Sequence, residues 1–310
     1  AHRRKAMLRG NVPALLELLR LERVDSNLFL GRSPDGRDSR VYGGQVAAQA
    51  VLAATRTLRD DWPIHSLHAY FLRPGDPRRP ILFMVEPIRD GRSFATRRIV
   101  ARQEGRAVFS LDASFQVREA GLAHQSAMPE VAPPEQLQSL REVFEALRAR
   151  HPERAQEWID PVRPFDVRWT PDPHLDLQKA AHPPEQFCWL RLARAIAPSE
   201  LETFEEVSER ALHAALLVYA SDHTILDTAL RPHWADFDWS RAQVASLDHA
   251  MWFHGDVDVS DWILFAQDAP AAAAGRGYSR GELYARDGTL LASAMQESLM
   301  RMRPHASSGS

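Results

Sequence analysis

The chain has 310 residues, 45% of them hydrophobic and 25% charged, with a formal net charge of −3. That length and balance suit one large or two modest globular domains with a sizeable core. They give no general electrostatic case for nucleic acid or an acidic membrane surface as a partner. In chain order, the Arg-rich start "AHRRKAMLRG" reads as an unstructured end rather than a binding arm. "VPALLELLRL" is a short helix with a leucine face, "ERVDSNLFLGR" alternates toward a strand, and "SPDGRDSR" is a polar loop. "VYGGQVAAQAVLAATRTL", Val41 to Leu58, is apolar and small on most sides, the pattern of a buried helix. Its alanines and Gly43 and Gly44 would let other backbone approach closely. Four strand-like runs follow, "IHSLHAYFL", "PILFMVEPIRD", "FATRRIVARQ" and "AVFSLDASFQV", punctuated by DG, GR and EG turns.

Residues 119–161 differ in character. "MPEVAPPEQ" is Pro-rich and "EQLQSLREVFEALRARHPER" reads as an amphipathic helix, so the segment is taken as a connection. Beyond it the first pattern returns. "FDVRWTP" and "FCWLRLARAI" are strand-like, "ERALHAALLVYASDHTILDTAL" contains a second apolar helix, and four more strand-like runs follow, beginning with "VASLDHAMWFH". At an offset of 181, His65 meets Ser246, His68 meets His249 and Phe71 meets Trp252; Gly91 meets Gly275 at 184. A repeat of this size points to duplicated domains. Each unit is expected to curl an antiparallel sheet around its own helix.

The stretch "ASLDHAMWFH" offers the residue types of a Ser-His-Asp hydrolase. Strict strand alternation would put Ser246, Asp248, Ala250 and Trp252 on one face and His249 on the other, separating nucleophile from base. "GRSPD" and "GRSFA" both lack the final glycine of a G-x-S-x-G elbow. The two histidines of "HSLH" diverge on a strand, so no metal site is expected. Cys188, the lone cysteine, rules out an intramolecular disulfide, suggests a reducing compartment and reads as an inert core thiol. What remains is Asp222, near the end of an apolar helix, and Gln296, in an apolar strand. A buried carboxylate needs donors, and a hydroxyl, an amide and a water are suitable ones.

At these residues the sequence closely resembles the acyl-CoA thioesterase II, or TesB-type, family. The matching blocks include "VYGGQVAAQAV", "HSLHAYFLRPGD", "DGRSFATRRIVARQ", "YASDHTIL", "SLDHAMWFH" and "LASAMQESLMR", in the family's order from about Asn11 to Arg303. The resemblance implies an α+β double hotdog, two tandem units each an antiparallel sheet wrapped around a long central helix. The expected division is an N-terminal unit over 11–118, a linker with an amphipathic helix over 119–161, and a C-terminal unit over 162–303 carrying the catalytic residues. It implies hydrolysis of acyl-CoA to free fatty acid and CoA, with no cofactor and no metal. The family's aspartate, threonine or serine, and glutamine around one water fall on Asp222, Ser246 and Gln296. Threonine is the usual middle residue, so Ser246 is a departure that keeps the hydroxyl but frees its rotation.

By the repeat, His65 would stand in the place of Ser246, and either Ala113 or Gln116 in the place of Gln296, so one active site per chain is expected. His65 itself is a second-rank candidate. An enoyl-CoA hydratase would pair an aspartate with a histidine, but Asp222 and His223 are adjacent on a helix and diverge by about 100°. A non-catalytic acyl-CoA sensor would not need all three polar groups. Hotdog units often self-associate, so a homo-oligomer is expected. No run nears the ~18 apolar residues of a membrane span, the start lacks the order of a secretory signal, and "HASSGS" is not a Ser-Lys-Leu peroxisomal address. A cytoplasmic location is the expectation.

Overall fold

The computed structural model describes residues 11–33, 40–147, 163–170, 181–204, 206–238 and 241–302. The Arg-rich start and the last part of the expected amphipathic helix, residues 148–154, lie outside the described residues. Helix α1 (Val12–Leu19) begins where the Asn11 side chain accepts the Ala14 N–H at 3.0 Å. Pro13 sits in its first turn, where a missing N–H costs nothing. Strands β1 (Glu22–Asp25) and β2 (Leu28–Gly31) follow. Helix α2 (Gly43–Thr55) is buried at every position from Gly44 to Thr55, which explains why its sequence shows no polar stripe. The meander is β3 (Ile64–Phe71), β4 (Ile81–Asp90), β5 (Phe94–Gln103) and β6 (Arg106–Gln116).

The connection contains helix α3 (Leu140–Leu147). Its extended first part lies on the second half of the molecule: Trp189 Nε1 donates to the Ala132 carbonyl at 2.9 Å, and Met128 and Val131 pack on Trp189, Trp262, Leu264 and Tyr284. The second half comprises β7 (Phe165–Thr170), β8 (Glu185–Leu192), α4 (Pro198–Leu201), α5 (Glu209–Ser221), α6 (Ile225–Leu230) and β9 (Ala242–Ser246). It ends with β10 (Asp248–Phe253), β11 (Ile263–Ala273), β12 (Arg276–Ala285) and β13 (Leu290–Met302).

All these strands join one antiparallel sheet in the order β1-β2-β4-β5-β6-β3-β10-β13-β12-β11-β8-β7, with β9 added beside β13. The order reads the same from either edge: the first helix-and-meander and the second are laid down as counterparts, meeting at β3 and β10. Helices α2 and α5 pack on each other, within one hydrophobic cluster fed by both halves of the sheet.

The second apolar helix ends at Ser221 with Asp222 as its C-cap, and a short separate helix follows from Ile225. Two expectations are corrected by this arrangement, both on the strand that follows the second helix. The strand through "VASLDHAMWFH" does not alternate strictly. Ser246 pairs with Ser298 and Ala250 with Met295, so three residues of one strand, 247–249, face two of its neighbour. That is a β-bulge. Three hydrogen bonds hold it: the Leu247 N–H donates to the Glu297 carbonyl at 2.9 Å, the Phe71 N–H donates to the Leu247 carbonyl at 2.9 Å, and the Glu297 N–H donates to the Asp248 carboxylate at 2.6 Å.

Finally, the repeat offset on this strand is 182, not 181. The first half pairs Ile64 with Phe115 and His68 with Asp112; the second repeats this as Ser246 with Ser298 and Ala250 with Met295. An odd offset would place counterparts on opposite faces of the sheet, whereas both helices lie on one face. Ile64, not His65, therefore occupies the place of Ser246. Leu67 occupies that of His249, and Ala113, not Gln116, that of Gln296.

Candidate active site

The end of α5 sets the first group in place. Ten consecutive residues of α5, Leu212 to Ser221, are buried, so the helix carries its C-cap, Asp222, into the interior with 4% of its surface exposed. A carboxylate at a helix C-terminus meets the unfavourable end of the dipole. Here it is compensated by another helix. The N-terminus of α2 abuts Asp222, and the Gly44 N–H donates to Asp222 Oδ2 at 2.9 Å. The approach requires glycine: a Cβ on Gly43 would lie 2.7 Å from Asp222 Oδ2, and one on Gly44 would lie 2.5 Å from the Tyr219 carbonyl. Tyr42, just before α2, donates its hydroxyl to that same carbonyl at 2.8 Å and stacks edge-on against Tyr219.

Strands β9 and β13 supply the rest. The Ser246 hydroxyl donates to Asp222 Oδ1 at 3.1 Å, and Gln296 Nε2 donates to Ser246 Oγ at 3.0 Å. Gln296 also donates to Ser298 Oγ at 3.2 Å. The three residues expected from the sequence are thus hydrogen-bonded in a line, from a strand, to its neighbour, to a helix end. Burial pushes the Asp222 carboxyl up to about 6, against the opposing pull of the Ser246 hydroxyl, the Gly44 N–H, the charge of Arg40 and the Gln296 amide. A carboxylate of that kind is ionised at neutral pH yet basic enough to take a proton.

The bulge brings in a residue that alternation had excluded. With an extra residue after Ser246, His249 turns to the same side, fully buried. Its Nδ1 lies 2.8 Å from Gln296 Oε1 and its Nε2 2.9 Å from Ser221 Oγ. Its serine partner is thus Ser221 rather than Ser246, and Ser246 donates instead to Asp222. No sequence signal marks the bulge, because Leu247 suits a regular strand equally well. Asp248, unassigned from sequence, holds the bulge by accepting the Glu297 N–H. His65 sits at the corresponding bulge in β3, half-buried, bonded through Nε2 to Ser114 Oγ at 2.8 Å and edge-on to Phe94. None of these contacts reaches Asp222, Ser246 or Gln296. Cys188 is fully buried and its thiol is pushed up to about 12 by that burial, which leaves it unreactive.

Comparison with known proteins identifies the family and the fold class. The family described as Acyl-CoA thioesterase matches residues 199–299, and the one described as Acyl-CoA thioesterase N-terminal domain matches residues 33–116. "Acyl-CoA thioesterase 2" of Haemophilus influenzae is 36% identical over 287 residues, covering 93% of this chain and 96% of its own. The chain belongs to the TesB-type acyl-CoA thioesterase family. Among solved structures, the acyl-CoA thioesterase II TesB2 of Mycobacterium marinum superposes with a TM-score of 0.74 at 36% identity, covering 94% of this chain and 99% of that one. A protein of unknown function with a hot dog fold from Alicyclobacillus acidocaldarius, 20% identical, reaches 0.71 over 94% and 99% of the two chains. The fold of this TesB-type chain is therefore of the hotdog class. Among the described residues, no helix is long and apolar enough to cross a membrane.

Proposed function

We propose that this chain hydrolyses acyl-CoA to free fatty acid and CoA by direct attack of a water held by Asp222, Ser246 and Gln296. As a TesB-type family member it is a thioester hydrolase. The observation that carries the finer reading is the line of hydrogen bonds from Gln296 through Ser246 to Asp222, facing the N-terminus of α2. Asp222 acts as general base on the water, and the Ser246 hydroxyl and Gln296 amide orient it toward the thioester carbonyl. Attack forms the new C–O bond, and collapse of the tetrahedral intermediate expels CoA thiolate. Aqueous thiols ionise near ~8.5, so this leaving group needs no strong general acid. The first N–H groups of a helix have no intrahelical acceptors, and the start of α2 is the donor cluster nearest Asp222 for a developing oxyanion.

The same reading takes the chain as a double hotdog of units 11–118 and 162–303 joined by 119–161. It has one active site, formed by the second unit with the first turn of α2 from the other. Self-association and a cytoplasmic location belong to this reading as well. The test is release of free thiol from a chain-length series of acyl-CoAs, run beside an enoyl-CoA hydration assay and repeated with Asp222→Asn. Thiol release that vanishes in the variant supports the reading. Hydration without thiol release, or near-normal turnover by the variant, overturns it.

A further inference from the structure

His249 is a buried titratable group that the hydrolytic reading leaves unused. It sits at the far end of the same hydrogen-bond line, which closes on itself. Ser221 and Asp222 are chain neighbours; Ser221 meets His249, His249 meets Gln296, Gln296 meets Ser246, and Ser246 meets Asp222. We infer that His249 is a positioning residue whose Nδ1–H fixes the rotation of the Gln296 amide, so that the amide N–H and then the Ser246 O–H are aimed at Asp222. The inference deepens the hydrolytic reading and rests on it.

The direction of each bond follows from what each atom can do. Gln296 Oε1 only accepts, so the Nδ1 that lies 2.8 Å from it donates. The ring is neutral at ordinary pH because burial lowers it to about 4. Nε2 then accepts, and the Ser221 hydroxyl donates to it. The Gln296 Nε2–H group is left for Ser246 and Ser298, and the single Ser246 proton goes to Asp222 Oδ1.

The ring has one other self-consistent state. With the amide turned over, Gln296 would donate to His249 Nδ1, Nε2–H would donate to Ser221, and Ser221 would donate to the Val218 carbonyl, 3.0 Å away. Oε1 would then claim the Ser246 proton, and Asp222 Oδ1 would lose its hydroxyl donor. Hydrogen bonds to an ionised group are the stronger kind, so a buried carboxylate selects the first state. The tautomer of His249 is therefore a direct report on whether Ser246 serves Asp222. The other half of the molecule fits this role: with no serine or glutamine to orient, it carries Leu67 where the second half carries His249.

The test has an activity arm and a spectroscopic arm. His249→Leu uses the residue that already fills the counterpart site, and should lower kcat by about 10- to 100-fold with KM within about twofold. His249→Asn, whose amide can donate from near the Nδ1 position, should recover most of that loss. Long-range ¹H–¹⁵N correlation of the imidazole in the wild-type protein should show the Nδ1–H tautomer, a readout that holds even if His249→Leu does not fold. An Nε2–H tautomer overturns the inference. Wild-type kcat in His249→Leu, or equal loss in the leucine and asparagine variants with both folded, also overturns it. Those failures leave the hydrolytic reading standing, since only retained turnover in Asp222→Asn removes that.

Discussion

The molecule contains the same junction twice, and only one copy carries the hydrogen-bonded Asp222, Ser246, Gln296 and His249. Helices α2 and α5 are each 13 residues long and lie side by side, so each one's C-terminus meets the other's N-terminus. At the first junction, the C-cap of α5 is Asp222 and the opposing N-terminus is Gly43-Gly44. At the second, the C-cap of α2 is Arg56 and the opposing residues are Glu209 and Arg210. Arg56 turns away to the Leu21 carbonyl at 2.7 Å and to Glu206, while Ser208 and Arg210 bond Asp61. A small cleft survives there between Thr55, Ile64, Arg210 and Phe253. The scaffold by itself therefore supplies a helix N-terminus aimed at a neighbouring helix end. In the proposed reading, chemistry depends on what fills four counterpart positions: Asp222, Ser246, His249 and Gln296 on one side, Arg56, Ile64, Leu67 and Ala113 on the other.

The sharpest way to break this comparison is to treat the two C-caps alike. Asp222→Asn should lower kcat by at least ~10²-fold with a normal far-UV CD spectrum. Arg56→Ala should leave kcat unchanged and lose only about 1–2 kcal/mol of stability from its buried contacts. Equal kinetic loss in the two variants would mean that both junctions are catalytic. Next come the strand positions. Ser246→Ala should cost about tenfold in kcat with little change in Tm, as expected for one water-orienting group. Ile64→Ala should do the reverse, leaving kcat intact while removing about 2–4 kcal/mol, because Ile64 is 8% exposed and its deletion opens a cavity. Steady-state kinetics beside thermal melts would separate the two.

The pH dependence of stability offers a subtler contrast, because only the furnished junction holds buried titratable groups with opposite shifts. The Asp222 carboxyl is raised from 3.8 to about 6, so its stabilising contribution is complete below about 4 and is lost as pH rises through 6. The His249 ring is lowered from 6.5 to about 4, so its contribution is complete above 6.5 and is lost as pH falls through 4. Each shift corresponds to roughly 3 kcal/mol at about 1.4 kcal/mol per pKa unit. The two slopes oppose one another between pH 4 and 6. Urea denaturation of the wild type should show only a shallow dependence from this pair, whereas Asp222→Asn should gain about 3 kcal/mol between pH 4 and 6.5 as the His249 slope is unmasked. A variant profile as flat as the wild type's would show that the two groups do not titrate as a buried, opposed pair.

How much of this was legible in the sequence differs between the two junctions. The apolar helices and the meanders were readable because burial and alternation leave strong local patterns, whereas the grouping of Asp222, Ser246 and Gln296 came from the resemblance to the family. The bulge was not: it is set by pairing with β13, and Leu247 looks like any strand residue. Missing it hid His249 and shifted the repeat by one, which gave His65 a counterpart role it does not have.

The smallest expected effect tests whether the site tolerates the residue more usual in its family. Ser246 is half-buried, and a threonine there adds one methyl to its Cβ. The counterpart position already accommodates a β-branched side chain, Ile64, in the same bulged register beside the same kind of helix end. Backbone strain is therefore not expected from Ser246→Thr. The methyl restricts χ1, which narrows the directions the hydroxyl can point and holds it toward Asp222 more of the time. The change should keep kcat within about threefold of wild type, with the direction upward if hydroxyl rotation limits how often the water is aligned. Single-turnover thiol release resolves a difference of that size. A drop beyond about tenfold would mean that the hydroxyl is aimed by the free rotation of serine rather than by the bulge, and the two junctions would differ in backbone as well as in side chains.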